Sequence, residues 1–105
     1  MSDQERFIKT LKGYQRIVIN ICHGGFGLSE LALDRYKKYT GTKHIYDREI
    51  ARDDPFLVKV VEELGADSHG SYAKLKVVEI PGDVEWQIDE YDGDEWVAEQ
   101  HRTWR

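Results

Sequence analysis

Residues 22–30, CHGGFGLSE, have the residue types and spacing that could bind an anion. They lie between an apolar run and an amphipathic one, so a strand, a glycine-rich turn and a helix capped by Ser29 would follow one another. This arrangement presents free backbone N–H groups and the positive end of a helix, and both attract phosphate. The candidate ligand-binding residues are Gly24, Gly25, Phe26, Gly27, Leu28 and Ser29, with His23 at the mouth of the loop.

The same glycines have a second interpretation. The pattern is neither the GxGxxG of a Rossmann unit nor GxxxxGK[ST], because no Lys follows Gly27 to reach a phosphate. Glycine also allows a chain to turn with positive φ, or brings a helix close to a sheet. The loop therefore predicts either a site for a small anionic ligand such as a nucleotide, or only a tight turn.

Cys22 and His23 could act as a nucleophile and its base if their side chains met. Adjacent residues of a strand point to opposite faces, which argues against this pair. The other histidines are scattered along the chain, and a single cysteine excludes a thiolate-rich zinc site. We therefore expect no metal site, no cofactor and no catalytic residues. An enzyme that uses Cys22 and His23 is kept as a third hypothesis, after the two binding hypotheses.

The carboxyl-terminal segment could bind a protein. Two alternating runs flank Asp92-Gly93, the residue pair that most favours a two-residue hairpin turn. Such a turn places Ile88 opposite Val97. Large aromatic side chains dominate interface energetics and carboxylates steer association, although carboxylates on a ribbon also block edge-to-edge aggregation. The expected aromatic anchors of an interaction surface are Trp86, Tyr91, Trp96 and Trp104.

Length and charge limit the class of protein. A chain of 105 residues has material for one core. Residues 1–50 carry nine Lys and Arg against six Asp and Glu, whereas residues 51–105 carry six against fourteen. The acidic half disfavours direct binding of nucleic acid and permits a basic partner surface. No apolar run approaches the ~20 residues of a membrane span, and the amino terminus is charged, so we expect a cytoplasmic protein.

The first half of the chain predicts alternating helix and strand. Residues 1–15 have helical spacing and form an expected amino-terminal helical extension, and residues 16–105 form a single α+β domain. RIVINIC, residues 16–22, predicts a strand covered on both sides. The next helix begins after Ser29 and ends near Thr40-Gly41, and a short extended segment is expected around residues 44–46. The residues of this helix that fall on one stripe at i, i+3 and i+4 spacing are Leu28, Leu31, Ala32, Arg35, Tyr36 and Tyr39.

The second half predicts one further helix and three strands. An Asp cap, Pro55 at the first helical position and Gly65 after the last turn delimit the helix, whose stripe contains Leu57, Val60, Val61 and Leu64. Residues 73–80 predict a strand stopped by Pro81-Gly82. The expected fold is α+β, with a small, mainly antiparallel sheet, helices packed on one face and a C-terminal β-hairpin. The orientation of the first strand is left open.

Three segments of the chain carry a family resemblance: RIVINICHGGFGLSELALDRY, RDDPFLVKVVEELG and LKVVEIPGDVEWQIDEYDGDEWVAEQHRTW. They resemble a family of short uncharacterised proteins of bacteria, phages and giant viruses. The resemblance covers residues 16–104 and implies a setting rather than a mechanism, because small phage proteins of this type often act on host machinery or on nucleotide signals.

The leading hypothesis is a non-enzymatic binding protein, encoded by a phage or a bacterium. It would engage a host protein in the host cytoplasm through its acidic and aromatic hairpin, for example to inhibit host defence. The alternative is a binder or sequesterer of a phosphate-containing small molecule at the glycine-rich loop. We expect no membrane contact, and a homodimer through the exposed ribbon edge is left open.

Overall fold

A computed structural model describes residues 13–99 of the chain. Residues 1–12 of the predicted amino-terminal helical extension and Trp104 lie outside the described residues. The elements, in order, are β1 (Tyr14–Asn20), α1 (Glu30–Thr40), α2 (Pro55–Leu64), β2 (Leu75–Pro81), β3 (Trp86–Tyr91) and β4 (Asp94–Glu99). Two short 3₁₀ turns, Asp47–Glu49 and Gly65–Ser68, precede and follow α2. No helix of the described part is long and apolar enough to span a bilayer.

The strands confirm the predicted α+β class and divide into two sheets. β1 pairs with β2 in antiparallel orientation, from Tyr14 opposite Pro81 to Asn20 opposite Leu75. β3 and β4 form the predicted C-terminal hairpin as a second antiparallel pair. The orientation of β1 that the sequence left open is therefore antiparallel to its neighbour.

The second half of β1, residues 17–20, is buried on both faces, whereas Tyr14 and Arg16 in its first half are exposed. Ile17, Val18 and Ile19 are almost inaccessible to solvent. The strand begins at Tyr14 and ends at Asn20, two residues earlier at each end than expected. Gln15 and Tyr14, which we had grouped with the amino-terminal extension, therefore belong to the sheet. β2 is likewise displaced from its predicted range, 73–80, and includes Pro81.

The two helices begin and end where the sequence predicted. The Ser29 side chain accepts a hydrogen bond from the Ala32 N–H, and Gly41 ends α1 in the left-handed conformation. Asp54 directly precedes Pro55, the first residue of α2, and its side chain accepts hydrogen bonds from the Phe56 and Leu57 N–H groups. These local contacts are the ones that the sequence predicted at the helix ends.

The predicted stripe of α1 needs one correction. Ala32 and Tyr36 are buried, but Leu31 is 50% exposed. α1 packs against α2 along the row that contains Ala32 and Tyr36. Leu31 is rotated by about 100° from Ala32 around the helix axis, so it lies outside this row. In α2, Leu57, Val58, Val60 and Val61 are buried and complete the core with Leu28, Ile50 and Leu75.

Residues 44–46, where a short extended segment was expected, form no strand. Tyr46 has extended backbone angles, with φ of −97° and ψ of 148°, but it pairs with no strand and precedes the 3₁₀ turn Asp47–Glu49. A strand needs a neighbouring ladder, and the open edge of β1 is engaged differently: the Val18 N–H donates to the Arg52 carbonyl at 2.8 Å. The apolar residue of this region that reaches the core is Ile50.

The hairpin has the predicted register, with Ile88 opposite Val97 and Trp86 opposite Glu99. Asp92 and Gly93 have φ of 51° and 89°, so the turn is the two-residue type with positive φ at both positions. This register fixes which side chains share a face of the ribbon.

Candidate functional site

The glycine-rich loop is enclosed by two other backbone segments. A Cβ on Gly24 would lie 2.0 Å from the Tyr72 carbonyl oxygen, and one on Gly93 would lie 2.5 Å from the His23 carbonyl oxygen. Gly27 faces Gly70, whose N–H donates to the Gly27 carbonyl at 2.9 Å. These distances show that glycine is needed here for close backbone approach.

Several donors predicted for an anion are bonded within the protein. The Leu28 N–H donates to the Asp47 carboxylate at 3.0 Å, and the Ser29 N–H donates to the Ser68 carbonyl at 2.9 Å. The Ser29 hydroxyl donates to the Asp67 carbonyl at 2.6 Å while it caps α1. The place at which a phosphate would meet the Leu28 N–H is therefore held by a carboxylate of this chain.

Phe26 of the loop contacts a cation instead of an anion. The Arg52 guanidinium lies 3.7 Å from the centroid of the Phe26 ring. The same guanidinium makes two hydrogen bonds to the Glu95 carboxylate, at 2.6 and 2.9 Å. Arg52 is thus held between an aromatic face and a carboxylate, a combination that suits a planar cation.

Glu95 completes a polar network at the open edge of β1. Its Oε1 also accepts from the Asn20 backbone N–H at 2.8 Å. The Asn20 side chain is fully buried, donates to the carbonyls of Cys22 and Gly93, and accepts from the Lys74 N–H. Its amide therefore joins β1, the glycine loop, the hairpin turn and the start of β2. No pattern in the sequence near Asn20 or Glu95 indicates this network, because its members are far apart in the chain.

Cys22 and His23 do not form the pair that the enzyme hypothesis needs. The His23 imidazole Nδ1 lies 3.9 Å from the Asp92 carboxylate, and both side chains are exposed. Among residues 13–99, no hydrogen bond joins the Cys22 thiol to this imidazole. Within the same range, no group of three or more His, Cys, Asp or Glu residues could hold a metal ion.

The hairpin register separates the predicted aromatic anchors. One face of the ribbon, here called the inner face, contains Trp86, Ile88, Glu90, Glu95, Val97 and Glu99; the other, the outer face, contains Gln87, Asp89, Tyr91, Asp94, Trp96 and Ala98. On the inner face, the Trp86 indole N–H donates to the Gln15 side chain at 2.8 Å. Trp86 therefore helps to attach the hairpin to β1, whereas Tyr91 and Trp96 belong to a different surface.

The outer face exposes its aromatic side chains to solvent. Tyr91 is 74% exposed and Trp96 is 48% exposed. Asp89 lies directly opposite Trp96, and Asp94 lies directly opposite Tyr91. Each ring therefore has a carboxylate as its cross-strand neighbour, and the face alternates aromatic and acidic groups.

A second concave region lies beside β1 and α2. It is a groove of about 660 Å³, and Arg16 crosses it to contact Glu62 and Glu79, at 3.4 and 3.2 Å. Both ion pairs are exposed, so they contribute little to stability. The groove mixes two cationic side chains with three carboxylates, so its charge favours no single class of ligand; these residues are Arg16, Lys59, Asp53, Glu62 and Glu79.

Comparison of the chain with protein-family models, with curated proteins and with solved structures gives no match.

Proposed function

We propose that this protein is a non-enzymatic binding protein that engages a partner protein through the outer face of its hairpin. The observation that carries the proposal is the exposure of Tyr91 and Trp96 on one face of the ribbon, each opposite a carboxylate. Tyr and Trp are enriched among the residues that contribute most to protein–protein binding. Two such rings on one small surface supply apolar area that a partner can bury.

The attachment of the hairpin supports this proposal. The hairpin is hydrogen-bonded to β1 at both ends of that strand. Trp86 donates to Gln15, and Asn20 donates to Glu95 and Gly93. A ribbon held at its inner face and its turn presents the outer face in a fixed geometry. Less side-chain and backbone order then has to be gained on binding, which favours affinity.

The glycine-rich loop is the weaker candidate for a binding site. The Asp47 carboxylate accepts from the Leu28 N–H, and the Ser29 hydroxyl donates to the Asp67 backbone carbonyl, so one carboxylate already occupies the proposed phosphate position. A phosphate there would have to displace or approach negative charge, which is unfavourable. The nucleotide hypothesis therefore stands behind the hairpin hypothesis.

The setting of the proposed interaction comes from the sequence resemblance. Small proteins of phages often act on host machinery, so a host protein is the partner that we propose. An inhibitor of host defence is one form that such a binding protein takes.

The test is a comparison of two doubly substituted proteins as bait in the cell that expresses the gene. Tyr91→Thr with Trp96→Thr removes both outer-face rings and keeps residues that favour strands. Tyr14→Thr with Tyr46→Thr removes two rings that are also exposed but lie elsewhere. We expect a protein that co-purifies with the wild type and the control but not with the outer-face variant, and that binds again as a purified component.

A partner retained equally by both variants would contradict the proposal. Circular dichroism and thermal unfolding of both variants show whether each keeps the wild-type fold. A variant with Tyr91→Thr alone serves if the double substitution unfolds the hairpin.

A further inference from the structure

The hairpin region carries an unusual concentration of negative charge. Residues 77–99 contain nine Asp and Glu residues and no Lys or Arg. These acids are Glu79, Asp83, Glu85, Asp89, Glu90, Asp92, Asp94, Glu95 and Glu99. Arg16 pairs with Glu79 and Arg52 pairs with Glu95, the two Arg side chains that balance part of this charge. Crowding of like charge on one ribbon is unfavourable for the isolated protein, and a cationic partner would relieve it.

The protein itself shows what such a combination of groups can hold. At Arg52, a guanidinium lies over the Phe26 ring and binds the Glu95 carboxylate at the same time. The outer face repeats these two components with exposed rings and half-buried carboxylates: Trp96 has Asp89 as its cross-strand neighbour, and Tyr91 has Asp94. The Asp89 carboxylate also accepts from the Gln87 side-chain amide at 2.8 Å, a bond that a guanidinium would share or replace. A planar cation can stack on a ring while it donates hydrogen bonds to an adjacent carboxylate.

From these observations we infer that the outer face of the hairpin binds an Arg- and Lys-rich surface of the partner protein, with partner guanidinium groups held between each ring and its neighbouring carboxylate. This inference rests on the proposed function and names the chemistry of the partner. The same charge disfavours other occupants: a second copy of the chain would place like charges together, and nucleic acid or an anionic membrane would be repelled.

The test uses an octa-arginine peptide labelled with fluorescein as the probe, with an octapeptide of Gly and Ser as the neutral reference. Asp89→Asn with Asp94→Asn removes two charges from the outer face. Asp34→Asn with Asp67→Asn removes the same number from exposed positions elsewhere, so the net charge of the two variants is identical. Fluorescence anisotropy at two salt concentrations gives the affinities.

We expect the outer-face variant to bind octa-arginine about fivefold more weakly than the wild type, since each exposed charge pair contributes modestly. The control should change the affinity less than twofold on the same scale. Trp96→Thr should weaken binding of the probe as well, because the ring supplies the stacking surface. Equal weakening by both acidic variants would mean that the probe senses only net charge, and it would overturn the inference.

The partner found by co-purification separates the inference from the proposed function. One outcome would keep the interface but refute the cationic chemistry of its partner. In that outcome the Tyr91→Thr, Trp96→Thr variant loses the partner, whereas the Asp89→Asn, Asp94→Asn variant retains it at every salt concentration. Retention of the partner by both variants would refute the proposed function itself.

Discussion

Arg52 and Glu95, which are 43 residues apart, form a bidentate ion pair that attaches the hairpin to the rest of the molecule. The Arg52 side chain also donates to the Val18 carbonyl at 3.3 Å, and Glu95 accepts from the Asn20 N–H. The Val18 carbonyl and the Asn20 N–H lie on the open edge of β1, where a further strand would otherwise pair. The ion pair therefore occupies this edge and prevents it from pairing with another chain.

Removal of one member of this pair should be strongly destabilising. The side chains are 21% and 10% exposed, so Arg52→Met leaves the Glu95 carboxylate mostly buried without its charged partner. We expect the free energy of unfolding to fall by about 3 kcal/mol, as for other broken pairs of low exposure. Urea denaturation followed by circular dichroism measures this loss.

Arg16→Met is the matched control for this prediction. Arg16 pairs with Glu79 at 3.2 Å, but the two side chains are 52% and 47% exposed. The expected loss is below about 1 kcal/mol. A comparable loss for both variants would mean that Arg52 and Glu95 contribute no more than a surface pair.

The glycines of the loop should differ in their tolerance of alanine. Gly24→Ala places a methyl group against the Tyr72 backbone, and this contact can be relieved only by moving one segment. Gly25 has a φ of 90° with open space around its Cβ position, so Gly25→Ala costs only the backbone strain of about 1 kcal/mol. We expect Gly24→Ala to lower the melting temperature more than Gly25→Ala does.

Equal melting temperatures for the two alanine variants would contradict the close approach of residues 24 and 72. The positive φ of Gly25 makes Gly25→Asp unsuitable as a test of ligand binding. This substitution strains the backbone whether or not a ligand binds, so a loss of binding in that variant would not identify an anion site.

The sequence predicted those features that depend on residues close together in the chain. Ser29 and Gly41 delimit α1, Asp54 and Gly65 delimit α2, and the Asp92-Gly93 turn sets the hairpin register. Each of these devices acts within a few residues, so the residue types alone carry the information. The burial of β1 was predicted for the same reason, from its run of β-branched residues.

The contacts that define the candidate site were not predictable in this way. Asp47 and Leu28 are 19 residues apart, and the carboxylate at residue 95 is one of fourteen in the second half of the chain. Nothing local distinguishes the acid that will be buried. The predicted register narrows the choice to Glu90, Glu95 and Glu99, which share a face with Ile88 and Val97, but it does not indicate which of the three is buried.

The glycine-rich loop should fail to bind phosphate compounds while Asp47 is in place. A ligand that binds the folded state raises the melting temperature by mass action. We therefore expect no rise with inorganic phosphate or with nucleotides at millimolar concentration. Asp47→Ala should lower the free energy of unfolding by about 1–2 kcal/mol, since the Leu28 N–H loses its acceptor. Differential scanning fluorimetry and urea denaturation give both results.

Asp34→Ala removes an exposed carboxylate from α1 and serves as the control for Asp47→Ala. Its unfolding free energy should stay close to that of the wild type. A nucleotide that raises the melting temperature of the wild type would reverse the order of the two binding hypotheses.

Tyr36 should make stability sensitive to alkaline pH. Burial, together with its hydrogen bond to the Asp54 carboxylate at 2.9 Å, raises the pKa of its hydroxyl to about 12 from 10.0. A raised pKa in the folded state means that folding favours the neutral hydroxyl. Its contribution is complete below pH 10.0 and is lost as the pH rises toward about 12.

Across this pH window, the linkage is worth about 2 kcal/mol of unfolding free energy, since each unit of pKa corresponds to ~1.36 kcal/mol. Tyr36→Phe removes the titrating group, so the difference in stability between wild type and variant should shrink above pH 10.0 and then reverse. Urea denaturation at a series of pH values measures both proteins. Tyr46→Phe, at an exposed ring, should leave the alkaline loss in place. A constant difference between wild type and Tyr36→Phe at every pH would mean that this hydroxyl does not titrate differently in the folded and unfolded states.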